Sequence, residues 1–313
     1  MRFKPLDFSK VRTYPLRERD NKVRLEEFAG VWKKGGTLGG FLKSLPHILV
    51  AEDFRNVVAA IVAAHTKKKP VIVCMGAHPI KVGLNPVFVD LMKRGVVNCV
   101  SMNGAGAIHD FELAMIGQTS EDVAHGLEDG SFGMIDETGR QMNDALAKGV
   151  KQGYGAGAAL GNAMLIGKFP HKQLSILHTG VTHEIPVTIH IAVGTDIIHQ
   201  HPTTDGAVLG EATYLDFQKL ASVVAQLGDG GVLLNIGSAV VMPEVFLKAL
   251  TIARNLGHKV ENFTTATFDM NRHYRPTENV VRRPVMKGGR GYYIVGHHEI
   301  MVPLLAAAVI ESL

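Results

Sequence analysis

Short runs of apolar residues that stop at a glycine or a small polar residue recur along this chain, separated by stretches with helical spacing. "PVIVCMGA" (Pro70–Ala77) is the clearest. A continuous apolar run this short, closed by a glycine, is what a strand buried on both faces looks like. Before it, "EDFRNVVAAIVAAH" (Glu52–His65) has an acidic start and apolar positions at helical spacing. After it, "LNPVFVDLMKRG" (Leu84–Gly95) reads as a helix closed by a glycine, and "VVNCVSM" as the next strand. The rhythm continues. "SILHTGV", "IPVTIHIAV", "GVLLNIGSAVV", "KVENFTTATFD" and "GYYIVGHHE" are strand-like. "YLDFQKLASVVAQLG", "PEVFLKALTIARNLG" and the closing "MVPLLAAAVIESL" are helix-like. Strands alternating with such helices predict an α/β fold: a parallel sheet with helices on both faces.

The length, 313 residues with 46% apolar, is enough for one α/β domain, and no linker divides it. The expected organisation is a single domain over 1–313 with a short N-terminal extension of about 45 residues. A formal charge of +4 is too small for this length to argue for nucleic acid, and "KKK" at Lys67–Lys69 reads as a solvated helix end. Cys74 and Cys99 lie in or beside apolar runs, as buried free thiols of a reducing compartment do. The first thirty residues hold no apolar signal region, and no window of eighteen apolar residues exists. The expectation is a cytoplasmic protein that engages no membrane.

In a parallel sheet, ligands bind beyond the carboxyl ends of the strands. The predicted strands end in "GAHP", "NGAG", "GTD", "GSA" and "TTATFD", where small residues allow a ligand close to the backbone. No G-x-G-x-x-G opens a helix. "GYGAGAALG" has similar spacing but follows no clear strand, and reads as a helix-packing or loop cluster. "NGAGAIHDFE" (Asn103–Glu112) gathers His109, Asp110 and Glu112 directly behind a strand end. His199 and His201 would share one face of an extended segment, as a metal-binding pair can, although no third ligand is evident. Asp196 in "VGTDII" either caps a helix or meets a cationic substrate. Glu278 either pairs with Arg275 or Arg282 on the surface or does the same. Lys287, in "RRPVMKGGRG", is a solvated loop lysine or an approachable amine nucleophile.

The order of these motifs resembles the deoxyhypusine synthase family. "GLNPVFVDLMKRGVVNCVSMNGAGAIHD", "EIPVTIHIAVGTDIIHQH", "LLNIGSAVVMPEVFLKALTIARN", "FTTATFDMNRHYRPTENVV" and "VGHHEIMVPLLAAAVIES" follow that family's blocks from about Val71 to the C-terminus. The resemblance implies a Rossmann-like fold, deoxyhypusine synthase-like, and NAD bound at subunit interfaces of a homotetramer (or homodimer). It also implies chemistry on spermidine: dehydrogenation, then aminobutyl transfer through an imine on a lysine. Carried over, Asp196 and Glu278 fall on amine-binding carboxylates. Ala77, His78, Asn103, Gly104, Ser238, Ala239, Thr265, Ala266 and Asp269 fall on NAD-contacting positions.

Departures decide the rest. The family's lysine falls on Pro284 and its tryptophan on Arg282; its histidine falls near Pro243, which leaves Glu244 beside the substrate. Its catalytic glutamate falls on His109, and Lys287 stands three residues beyond Pro284. A proline forms no imine. The implied activity is therefore a diverged, NAD-dependent reaction on a polyamine or other small amine, with His109 as general base and Lys287 the remaining candidate amine. "NGAGAIHDFE" is also similar to the NAD-binding part of ornithine-cyclising enzymes, so an amino-acid reaction stands beside the amine one. A non-catalytic NAD or polyamine binder is the alternative from another class.

Overall fold

Six parallel strands carry the structure, a computed structural model that describes residues 3–313. They are β1 (Val71–Met75), β2 (Cys99–Asn103), β3 (Val187–His190), β4 (Val232–Ile236), β5 (Thr264–Asp269) and β6 (Arg290–Val295). Their order across the sheet is β3-β2-β1-β4-β5-β6, every neighbouring pair parallel. That is the doubly wound, Rossmann-like arrangement, in which the winding reverses between β1 and β4 and leaves a crevice at their carboxyl ends. All five residues of β1, an unbroken apolar run, and of β4, apolar but for Asn235, are buried.

One face of the sheet carries Ile72, Leu233 and Phe263 against the helices Gly206–Val224 and Val241–Asn255, through Leu220, Phe246 and Leu250. Each such side chain is worth roughly 1.5–3 kcal/mol of burial. The outer edge of β3 would expose unpaired N–H groups. The Gly206–Val224 helix covers it instead: Asp216 accepts the N–H of Ile189 at 2.7 Å and of Gly157 at 2.8 Å. Thr213 accepts from Ile191 N–H and donates to the Ile189 carbonyl, both at 3.0 Å. Gly155 and Gly157 of the "GYGAGAALG" cluster are packing glycines, since a methyl on either would overlap Asp216 or the Val187 backbone.

"SILHTGV" is a helix, Ile176–Thr182, and its reading as a strand is corrected. Ser175 caps it by accepting His178 N–H at 3.0 Å, and Asp110 accepts the N–H groups of Ile176 and Leu177 at 2.9 and 3.1 Å. An apolar run of this length does not distinguish the two states; the cap decides.

The chain divides into two units, Met1–Glu52 and Asp53–Leu313. The second contains the sheet. The first consists of single 3-10 turns at Phe8–Lys10, Leu16–Glu18 and Leu25–Glu27 and a helix at Leu38–Ser44. Within it, Trp32 meets Phe41 edge to face, ring centres 5.7 Å apart. Among the described residues no helix is long and apolar enough to cross a membrane.

Candidate active site

"NGAGAIHDFE" is the end of a strand and the start of a helix. Asn103 closes β2 and accepts the Gly106 N–H at 3.0 Å, capping a helix over Gly104–Ile116. Gly117, with φ 72°, ends it in the left-handed conformation that favours glycine. Helical spacing puts His109 and Glu112 on one side and turns Asp110 away. Asp110 is fully buried and structural: besides the two N–H groups above it accepts from Ser175 Oγ at 2.5 Å and Asn85 Nδ2 at 2.7 Å.

His109 and Glu112 face a cavity of about 660 Å³, which Lys81, Thr119, Thr195 and Asp196 also line. A hydrogen-bonded chain runs along its wall. His109 Nδ1 lies 2.6 Å from Thr119 Oγ1, and Thr119 donates to Glu112 Oε2 at 2.5 Å. Thr138 donates to the other oxygen, Glu112 Oε1, at 3.0 Å. Burial, helped by the Lys81 ammonium, pushes the His109 imidazole down to about 4. At neutral pH the ring is therefore uncharged with one nitrogen free, and burial makes it a weaker base than an ordinary histidine.

Asp196 follows β3 and is 5% exposed. Its carboxyl occupies the space left by the missing side chain of Gly104, where a methyl would overlap it, and its Oδ1 accepts from Thr195 Oγ1 at 3.4 Å. Asp196 precedes the short turn Ile197–Gln200 and lines the cavity. Its Oδ2 has no hydrogen-bond partner, and neither does His199 Nε2, 3.7 Å away. His199 Nδ1 accepts the N–H of Gly194 and of Asp196, so the neutral ring carries its proton on Nε2, facing the carboxyl. Burial raises the Asp196 carboxyl above the usual range, against the pull of His199.

Beside this cavity lies the reversal point of the sheet. Gly76 N–H donates to the Ile236 carbonyl at 3.2 Å and Gly237 N–H to the Phe268 carbonyl at 3.0 Å. A methyl on Gly76 would overlap the Gly237 carbonyl, so the loops carrying Ala77 and His78 and carrying Ser238 and Ala239 lie in contact. Ser238 Oγ accepts the Met242 N–H at 3.2 Å. Asp269, buried at the end of β5, faces His273 Nε2 at 3.8 Å. Behind these, His298 is buried with its ring 5.4 Å from that of His78. Its Nε2 meets the Phe268 carbonyl at 3.2 Å, while Nδ1 has no partner.

The remaining sequence candidates fall elsewhere or do other work. Asn103 and Gly104 are occupied by the cap and by Asp196, so their side-chain positions do not open toward a cofactor. Thr265 and Ala266 are buried inside β5, near its amino end, with Thr265 Oγ1 donating to the Val280 carbonyl at 2.8 Å. Lys287 precedes β6, at the amino edge of the sheet, exposed and paired with Glu261 at 3.3 Å. The six residues of β6 span about 20 Å, so Lys287 is no amine of this cleft. Glu278 pairs with Arg282 and with Arg283, the latter at 3.2 Å. Glu244 pairs with Lys248 and Arg275 and accepts from Asn279 Nδ2 at 2.9 Å. Both carboxylates therefore belong to ion-pair networks beside β5, and neither lines the Asp196 cavity. His201 turns from His199, its Nδ1 2.8 Å from Thr203 Oγ1 and its Nε2 3.6 Å from Asp136. No group of three metal-ligating side chains occurs among the described residues.

Sequence reasoning reached His109 and Asp196, named Glu112 in the same cluster without giving it a role, and left out Thr119, Thr138, Lys81 and His298. The three-residue step from His109 to Glu112 is the signal that a helical reading of "GAIHDFE" would have used. Nothing local marks Thr119 or Thr138.

The sequence matches no protein-family model and no curated protein. Among solved structures the chain is similar to AgrE in a ternary complex with ornithine and NAD+, at TM-score 0.51 and 15% identity over 83% of this chain and 33% of that one. It is similar to ArgZ, an arginine dihydrolase from the ornithine-ammonia cycle in cyanobacteria, at TM-score 0.50 and 15% identity over 84% and 33%. A conserved protein of Methanococcus maripaludis S2 described as LOR/SDH has TM-score 0.50 and 14% identity over 90% of this chain and 72% of that one. The chain spans about a third of the length of AgrE and ArgZ. At these identities the likeness is one of fold.

Proposed function

We propose that this protein is an NAD-dependent enzyme that oxidises a small amine or amino acid. The observation that carries the reading is the cavity at the carboxyl ends of β2 and β3. It sets a neutral imidazole, His109, in the same space as a buried carboxylate, Asp196. An ammonium group in the cavity would be drawn to the Asp196 carboxyl on its wall. His109 then takes the proton that nitrogen releases as the carbon–nitrogen double bond forms.

The crevice between β1 and β4 fits a dinucleotide in two respects. It is the point where the winding of the sheet reverses, and a buried polar atom beside it, His298 Nδ1, lacks a partner; the space at Gly76 and Gly237 themselves is filled by the Gly237 carbonyl and the His298 ring. Ala77, His78, Ser238, Ala239 and Asp269 would hold NAD, which when bound supplies the hydride acceptor. That AgrE is a fold neighbour seen with ornithine and NAD+ supports the same reading. Lys81, on the wall of the cavity, offers a cation to a carboxylate, which favours an amino acid such as ornithine over a polyamine. A cytoplasmic homotetramer with sites at subunit interfaces belongs to the same proposal.

Calorimetry with NAD, followed by absorbance of reduced nicotinamide on adding ornithine or a polyamine, tests it. Binding and amine-dependent reduction are expected, and His109→Ala should abolish turnover while leaving NAD affinity nearly intact. Absence of NAD binding would end the proposal.

A further inference from the structure

We infer that Glu112, acting through Thr119, fixes the tautomer of His109 and so makes Nε2 the proton acceptor of the cavity. This rests on the reading of that cavity as the active site, and it concerns a residue that touches no substrate. Thr119 has one hydroxyl proton and two acceptors in reach, Glu112 Oε2 at 2.5 Å and His109 Nδ1 at 2.6 Å. A carboxylate has no proton to give, and a hydrogen bond to an ionised acceptor is about twice as strong as one between neutral groups. The proton therefore goes to Glu112. Thr119 Oγ1 can then meet His109 Nδ1 at that distance only by accepting, which places the imidazole proton on Nδ1. The lone pair is left on Nε2.

Thr138 gives the arrangement its direction. By donating to Glu112 Oε1 at 3.0 Å it holds the carboxylate in place and leaves Oε2 for Thr119. Glu112 is 9% exposed and sits on the same helix as His109, so both ends of the chain are carried by one rigid element. When the substrate nitrogen gives up its proton, that proton bonds to Nε2; NAD, once bound, would supply the acceptor for the hydride that leaves carbon. The imidazolium so formed is stabilised through Nδ1–H, Thr119 and the Glu112 carboxylate. Glu112 is thus a positioning residue, in the way a buried carboxylate orients a catalytic histidine elsewhere, here with a hydroxyl interposed.

The chain runs one way only because Glu112 is an acceptor, and Glu112→Gln should reverse it. An amide that donates to Thr119 Oγ1 turns the hydroxyl proton toward His109 Nδ1, and the imidazole proton moves to Nε2. Nitrogen NMR of protein labelled at histidine reads the tautomer without any turnover; the His109 signals are those missing in His109→Gln. The wild type should show the Nδ1–H form and Glu112→Gln the Nε2–H form. Thr119→Val, which cannot relay in either direction, should show a mixture. Amine-dependent NAD reduction in Glu112→Gln should fall at least about a hundredfold in kcat, with KM for NAD little changed. Thr119→Ser, which keeps the hydroxyl, should retain most activity and the wild-type tautomer. An Nε2–H imidazole in the wild type, or an unchanged tautomer in both Glu112→Gln and Thr119→Val, would overturn the inference. The expected tautomers in a protein that reduces no NAD with any amine would uphold the relay and sink the proposed reaction.

Discussion

Gly104 shows how much one missing side chain holds together. Its place, in the first turn of the helix bearing His109 and Glu112, is filled by the carboxyl of Asp196. Gly104→Ala should therefore do two things at once. Overpacking should lower stability by about 1–3 kcal/mol in urea unfolding. Displacing Asp196 should raise KM for the amine at least about tenfold while leaving NAD affinity alone. Equal losses in both ligands would mean that the helix itself had shifted and that Asp196 has no separate role. The sequence had offered Gly104 as backbone room for a cofactor. Small residues at a strand end do signal close approach, but nothing in "NGAG" says whether a ligand or another segment of the chain approaches. Ninety-two positions separate Gly104 from Asp196, so that answer exists only in the fold.

At the level of elements, the strands were legible because burial on both faces leaves unbroken apolar runs, and "PVIVCMGA" could be little else. The helix at Gly104–Ile116 was hidden, since its first turn is glycine and alanine and its cap, Asn103, belongs to the strand. The guard on the β3 edge was hidden too, because it comes from Asp216 in the middle of another helix. Burial pushes the Asp216 carboxyl up to about 7, against the N–H groups that favour its charge. From the usual carboxylate value of 3.8 to about 7, the folded chain thus holds a proton that the unfolded chain has released. Stability from this group is complete below about pH 4 and is lost as pH rises through about 7. The loss amounts to roughly 4 kcal/mol for a rise of about three pH units. Asp216→Asn cannot titrate, so the stability of the variant relative to wild type should rise by about that amount between pH 4 and pH 8. Urea titrations at both ends measure it, and the comparison cancels the slopes of the other buried groups. A difference independent of pH would show that Asp216 is ionised throughout.

The whole molecule sorts its candidate residues by which edge of the sheet they reach, and sequence order alone does not. Asp196 ends a loop at the carboxyl edge; Lys287 turns the chain at the amino edge. In the sequence Asp196 stands at a strand end among apolar neighbours and Lys287 next to glycines in a loop, and only the parallel topology shows which edge each reaches. The separation has a thermodynamic consequence if the crevice between β1 and β4 takes NAD. A ligand that binds only the folded state stabilises it by about 2.7 kcal/mol when present at a hundred times its Kd. Lys287→Ala, at the far edge, should keep that increment in full, losing only the weak exposed pair with Glu261. Ala77→Asp, which puts a negative charge in the loop after β1, should abolish most of it by repelling the pyrophosphate. Thermal unfolding of both variants with and without NAD makes the comparison. An increment removed by Lys287→Ala and kept by Ala77→Asp would place the dinucleotide on the wrong edge of this sheet. The assignments at Ala77, His78, Ser238 and Ala239 would then fall together, because all of them depend on the same crevice.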